Sequence, residues 1–502
     1  MRLFLSVLLT LILCPSLGFA KNLEIRSENF IITGNVSKKD GKALLRDLEL
    51  FRKNVFKLLG VNGAPEIVPV NVYIAKNTKA LKGITGVGGL GGMYTMTHNG
   101  PAFVLDGKNG FKRGGGARHI ALHEYSHHIV GAYTQLDYPL WYNEGYANYL
   151  ATFSYKNGIF RVGDPYDPYA TTLREKNWMP MTVVLGSMHK YPFNMGDTSK
   201  VGSQTISQFY AQTWLAVHYL KNEEKYKGAL TDYVRRLNEG ESSLPAFKAA
   251  MGLTPEAFEA ELRAYFKKNR YNVARFKTTD DHMAQPIVTT LTPAQAEMAK
   301  LMAMKQFTFT NERRDIVLKA FDKYEAKYGV SAETLTARAD LMAYNASTLK
   351  SYAAAREIVE KALELTPEDK QANAIAAMIL VHQIGRDLGG TKDDLKAARN
   401  YAKKALSKDS QMPLANYAYA LSFHGEERPP QSALNAAGYA LDYYRDKGFM
   451  GSNLGLAGIL MNGGDYKEAL PPINRAITWT KDPTMRMAAQ TMRQYIKVEN
   501  KG

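Results

Sequence analysis

A chain of 502 residues exceeds what one hydrophobic core usually holds, so two or three domains are expected. Its 45% hydrophobic and 22% charged residues are those of a globular protein and exclude a disordered or collagen-like chain. The net charge of +16 is dispersed and accompanies no nucleic-acid recognition motif, so nucleic acid is not an expected partner; anionic envelope surfaces or acidic substrates are compatible with it.

Residues 1–20 carry Arg2, the apolar run "LFLSVLLTLILC" and "GFA" before Lys21. This is the pattern of a secretory signal peptide cleaved after Ala20, and it points to a bacterial periplasmic or secreted protein. Cys14 is the only cysteine, so the mature chain is expected to hold no disulfide, cysteine nucleophile or thiolate metal site. No later run has the length of a transmembrane helix.

Beyond Lys21, "NLEIRSENFIITGN" predicts one or two short strands. Leu44, Leu45, Leu48, Phe51, Val55 and Leu58 recur at helical spacing before Gly60. "VPVNVYIAKN" alternates as a strand does, and "GGLGGMYTMTHNGPAFVLD" predicts two strands joined at Asn99-Gly100. A helix follows through "ARHIALHEYSHHIVGAY", and a second starts near Trp141. "FRVG" is a short strand, and Ser203–Asn222 and "TPEAFEAELRAYFKKN" are further helices, the latter with Thr254 as cap and Pro255 in its first turn. Strands first and helices afterwards give an α+β domain over 21–276.

Residues 277–331 read as a linker and transition helix; its polar first part, Lys277 to Thr292, carries Pro286 and is followed at once by Pro293. From 332 to 502 the chain is alanine-rich and helical. The pairs Lys361-Ala362, Lys404-Ala405, Tyr439-Ala440 and Arg475-Ala476 recur at spacings of 43, 35 and 36 residues. A period near 34, together with "GGDYKEALPPINRAI", resembles tetratricopeptide repeats and implies an all-α repeat domain able to bind a protein partner.

Four of the ten histidines lie within one helix: His119, His123, His127 and His128. His123-Glu124-Tyr125-Ser126-His127 is HExxH, which on a helix places two imidazoles on one face within reach of one metal, with Glu124 beside them. Glu144, in "WYNEGYANYL", is the candidate third ligand, separated from His127 by sixteen residues. His119 and His128 are expected to be structural, and Gly114, Gly115 and Gly116 to give slack at the helix entrance.

Trp141-Tyr142-Asn143-Glu144-Gly145-Tyr146-Ala147 resembles the second zinc motif of gluzincin aminopeptidases, and the chain resembles a bacterial group that joins a compact peptidase-like domain to helical repeats. The resemblance covers about Val70 to Lys221. It implies a zincin-like catalytic domain, a Zn2+ held by His123, His127 and Glu144, and Glu124 as general base. One turn after the third ligand some relatives hold an aspartate that supports a ligand histidine; here that position is Asn148. The oxyanion donor of such families follows the third ligand by some sixty residues, which points to Tyr210, with His189, Tyr191 and His218 as the other candidates. The aminopeptidases' glutamate for the free amine has no counterpart in "GGLGGMYTMT", so the expected activity is that of a zinc peptidase acting on a peptide or protein substrate, aligned against the "PAFVLD" strand, with "GSMHKYPFN" covering the cleft. The alternatives are a non-enzymatic envelope scaffold with a degenerate peptidase domain, and a hydrolase of peptidoglycan stem peptides.

Overall fold

The computed structural model describes residues 22–61, 63–111, 115–134, 136–175, 177–192, 203–278, 285–344, 348–386, 388–445 and 447–499. The expected signal peptide, Cys14 and Gly114 lie outside them.

β1 (Asn22–Arg26) and β2 (Phe30–Asn35) form an antiparallel pair, with Ile25 opposite Ile32. α1 (Lys38–Leu59) starts where the Ser37 side chain accepts from the Asp40 N–H and stops at Gly60, whose φ of 66° closes the helix in the left-handed region. It returns the chain to β3 (Val70–Ala75), parallel to β2. After α2 (Thr78–Thr85), β4 (Gly92–Thr97) and β5 (Gly100–Asp106) make the expected hairpin, turning at Asn99 and Gly100, where φ is 103°. β5 then lies parallel to β3, in the interior of the sheet, and β4 takes the edge. The expectation that "PAFVLD" offers a free edge is therefore corrected: β4 covers that side of it.

α3 (Gly116–Tyr133) and α4 (Leu140–Ala151) follow the hairpin. β6 (Ser154–Lys156) and β7 (Ile159–Val162) then begin a small second sheet, and α5 (Asp167–Arg174) and α6 (Met181–Leu185) lead to α7 (Ser203–Asn222). α8 (Ala229–Asn238), α9 (Ser243–Met251) and α10 (Pro255–Lys268) complete this part of the chain. Thr254 caps α10, with Pro255 at its first position, as the sequence implies.

The span 277–331 is more than a linker. β8 (Ala274–Lys277) pairs with β7, and β9 (Ile287–Thr290) pairs with β1, giving the main sheet the order β4-β5-β3-β2-β1-β9. α11 (Pro293–Gln306), held at its start by a reciprocal Thr292–Gln295 cap, then covers one face of that sheet, and α12 (Asn311–Tyr328) packs on α11. Met298, Leu301, Met304, Val317 and Phe321 pack there on Leu81, Ile84 and Val104. The opposite face packs on α1 and α3 through Ile25, Ile32, Val72 and Phe103. Successive side chains point to opposite faces of a strand, so both faces of this sheet are buried.

Beyond this α/β region the chain is all-helical, in keeping with tetratricopeptide-like repeats. The helices pair in sequence: α13 (Ala332–Tyr344) with α14 (Leu349–Leu365), α15 (Lys370–Gly385) with α16 (Lys392–Lys408), α17 (Pro413–Leu421) with α18 (Gln431–Tyr443), and α19 (Met450–Asn462) with α20 (Tyr466–Trp479), followed by α21 (Pro483–Glu499). Ala362, Ala405, Ala440 and Ala476, equivalent in the sequence, all lie on the second helix of a pair and are fully buried. A larger side chain there would push the paired helices apart. α15 is buried continuously from Ala372 to Val381, as a helix at the centre of an array must be.

Candidate metal centre

α3 packs on β4 and lies against α4, and α7 packs closely on α4. Gly145 is the reason for that approach: a Cβ there would lie 2.3 Å from the Thr213 carbonyl oxygen. The small residue after Glu144 thus brings α7, and with it Tyr210, over the metal-ligand candidates.

His123 Nε2 and His127 Nε2 lie 3.0 Å apart. Glu144 Oε2 is 3.2 Å from the first and 3.5 Å from the second. A tetrahedral ion with bonds of 2.0–2.1 Å needs ligand atoms about 3.4 Å apart, so this triangle has the dimensions of a zinc site. Oε2 is buried and makes no hydrogen bond, whereas Oε1 accepts from the Tyr191 hydroxyl at 2.6 Å. A buried carboxylate oxygen with no donor, facing two imidazole nitrogens, fits a cation between them. The electrostatics agree. Burial opposes a charge on His127, but Glu144, Glu124 and Asn143 outweigh it and push its pKa up to about 9, while burial of Glu144 is outweighed by the two histidines, which hold its carboxyl well below the usual range.

Glu124 sits on the cleft wall beside the ligands. Burial raises its pKa against the pull of His123 and His127, and a backbone hydrogen bond from Tyr94 on β4 favours its ionised form. Tyr210 lines the same cleft, its ring centroid 6.0 Å from that of His123. Burial, and next the Glu144 charge, keep the Tyr210 hydroxyl protonated and available as a donor.

Three expected roles are corrected. Asn148 does not touch a ligand histidine; its Oδ1 accepts from the Tyr169 hydroxyl at 2.6 Å and its Nδ2 donates to the Tyr210 carbonyl, because α4 turns this residue toward α5 and α7. The polar neighbour of His127 is Asn143, and His127 Nδ1 and Asn143 Oδ1 are otherwise without a hydrogen-bond partner. The signal for Asn143 was its place directly before Glu144. His189 does not cover the cleft; its ring packs edge-on against Trp479 at 5.3 Å. His218 is buried on Gly163 and Tyr265, away from the cleft lining.

The other two histidines of α3 are structural. His119 stacks on Tyr166 with ring centroids 3.9 Å apart, and burial, helped by His123, pushes its pKa down to about 3. His128 faces away from the ligands, between the Tyr94 hydroxyl at 3.0 Å and Glu66 at 3.2 Å. Glu66 is a hub that sequence reading missed: it also accepts from Arg52, Tyr125 and Tyr133. The cleft, of about 500 Å3, is bounded by Gly92, Met93 and Tyr94 of β4 on one side and by Leu136, Asp137 and Tyr138 of the α3–α4 loop on the other. Arg475, from α20, reaches its rim.

No known family matches the chain, and no curated protein matches it. Among solved structures, similarity is found to a thermophilic TPR protein of Thermus thermophilus, at 18% identity and a TM-score of 0.28, over 36% of this chain and 92% of that one. Among the described residues no helix is long and apolar enough to cross a membrane.

Proposed function

We propose that this chain is a zinc-dependent peptidase that hydrolyses peptide bonds of a peptide or protein substrate, with a zincin-like catalytic domain. The observation that carries the reading is the convergence of His123 Nε2, His127 Nε2 and the unpartnered Glu144 Oε2 in a cleft that also holds Glu124. His123, His127 and Glu144 would hold Zn2+, which when bound would supply a Lewis acid for the substrate carbonyl and lower the pKa of water. Glu124 accepts the proton of the attacking water and passes it to the leaving amine. The Tyr210 O–H donates a hydrogen bond to the carbonyl oxygen as negative charge builds there. Tyr191 fixes the Glu144 carboxylate so that Oε2 faces the histidines. The edge of β4 supports pairing with an extended substrate backbone, since Gly92, Met93 and Tyr94 line the cleft. A periplasmic or secreted location, from the character of residues 1–20, belongs to the same proposal.

The test is elemental analysis of the purified chain after zinc supplementation, with a broad peptide screen. About one zinc per chain and peptide cleavage that vanishes in Glu124→Ala with zinc retained support the reading. A chain that takes up no zinc refutes it.

A further inference from the structure

The repeats grip the segments that wall the candidate metal cleft. On one side, the tip of the β4–β5 hairpin is inserted among the helices of the array. His98 Nε2 lies 2.5 Å from Asp340 Oδ1 on α13, Asn99 Nδ2 donates to Asp340 Oδ2 at 2.8 Å, and Asn99 Oδ1 accepts from Gln371 on α15 at 2.9 Å. The Tyr444 hydroxyl donates to the His98 carbonyl. Asp340 is fully buried and also holds Lys305 of α11, so the tip is locked in a desolvated ionic knot rather than resting on a surface.

On the other side, Asp137 is the buried carboxylate of the α3–α4 loop. Arg475 of α20 holds it in a two-pronged pair, Nε to Oδ2 at 2.5 Å and Nη2 to Oδ1 at 2.8 Å, while its Nη1 donates to the Arg445 carbonyl. The planar guanidinium fixes direction as well as distance. A third grip lies next to Tyr191: Lys481 donates to the His189 carbonyl at 3.1 Å, and Trp479 packs on the His189 ring and is buried in the core of the N-terminal region.

These grips lead to the site through short paths. The hairpin tip continues into β4, whose Tyr94 bonds Glu124 through its backbone and His128 through its hydroxyl. The Asp137 loop joins the helix of His127 to the helix of Glu144. His189 stands two residues before Tyr191, the donor to Glu144.

We infer that the repeat array is an intramolecular clamp that sets the width of the metal cleft, and that Arg475 is a positioning residue for it. The inference rests on the metal reading above. The array's ligand on this face is the chain's own β4–β5 hairpin, so its docking work here is internal. Without Arg475, the buried carboxylate of Asp137 loses the guanidinium that balances its charge, and the loop between the two ligand helices loses its tie to α20.

The experiment uses the full-length chain loaded with cobalt(II), whose visible bands report ligand geometry. Arg475→Ala should release cobalt to a chelator ~tenfold faster or more and shift its visible bands, as loss of a supporting partner at a metal site does. Arg475→Lys should recover part of the loss, because an ammonium restores the charge but not the fork. Asn99→Ala, a milder cut in the other jaw, keeps the test open if Arg475→Ala does not fold. Amide exchange over residues 92–97 and 136–139 should rise in both alanine variants. Wild-type cobalt release and wild-type exchange in both variants would overturn the clamp. If the unmutated chain takes up no cobalt, the metal reading fails instead, and exchange alone decides the clamp: raised exchange sustains it and unchanged exchange rejects it.

Discussion

Glu66→Gln measures how much of the stability behind α3 resides in one carboxylate. Glu66 is buried and accepts from Arg52 at 3.0 Å, Tyr125 at 2.9 Å and Tyr133 at 2.5 Å, with His128 at 3.2 Å. Burial raises its pKa, but His128, Arg52 and Tyr133 outweigh burial and bring it down to about 2, from 4.5. A folded-state pKa below the unfolded value stabilises the fold above the unfolded pKa, and that contribution is lost as pH falls through the folded one. The shift corresponds to about 3 kcal/mol at pH 6, of which about 2 kcal/mol is gone at pH 3. The amide cannot accept from all these donors, so at neutral pH Glu66→Gln should destabilise by about 3–5 kcal/mol, as breaking a buried pair does. Urea unfolding of both proteins at pH 6 and at pH 3, followed by tryptophan fluorescence, gives the difference at each pH. The gap should narrow by about 2 kcal/mol on acidification. A gap that is the same at both pH values would refute the argument, because the loss would then come from packing rather than from charge.

His123→Ala and Glu144→Ala should each lower zinc content from about one per chain toward zero, read by elemental analysis after dialysis. Tyr210→Phe should keep zinc and fold but lower kcat by roughly ten- to a thousand-fold on the best peptide found; wild-type kcat/KM would remove Tyr210 from the chemistry. A chain cut after Phe276 loses β9 and the α11 cover over Leu81, Ile84 and Val104, so it should be insoluble or protease-sensitive, whereas a cut after Tyr328 keeps the sheet covered and should express better. A soluble, protease-resistant 21–276 fragment would contradict the role given to α11.

What the sequence revealed of the site followed from local spacing. His123 and His127 are one helical turn apart, which puts them on one face of α3, where their Nε2 atoms lie 3.0 Å apart. Glu144 was singled out by the motif around it, and the neighbouring Gly145 lets α7 approach α4. Asn148 was misplaced because its partner depends on how α4 is rotated against α5 and α7, which no spacing along the chain encodes. β9 was hidden for a different reason. "IVTT" is four residues in a polar stretch, and it becomes a strand by pairing with β1, some 260 residues earlier. Such pairing is bought with tertiary contacts and leaves no local pattern. The Asp340 knot and the Asp137–Arg475 pair are of the same kind, since each joins ordinary polar residues hundreds of positions apart.

Arg475 holds the fourth instance of one repeat position. In the earlier units Lys361 is turned to solvent, Lys404 is exposed, and Tyr439 reaches the Gln411 carbonyl. Open solenoids lengthen or shorten by whole units because each unit touches only its neighbours. Here the array is pinned at Asp340 near its start and at Arg475 near its end, both to the same α/β body. Packed helices stand about 8–10 Å apart, so a unit added between the pins would carry the second anchor out of reach of Asp137 by more than the length of its side chain. The number of units is therefore a fixed dimension of the molecule, like the span of a bridge between two piers.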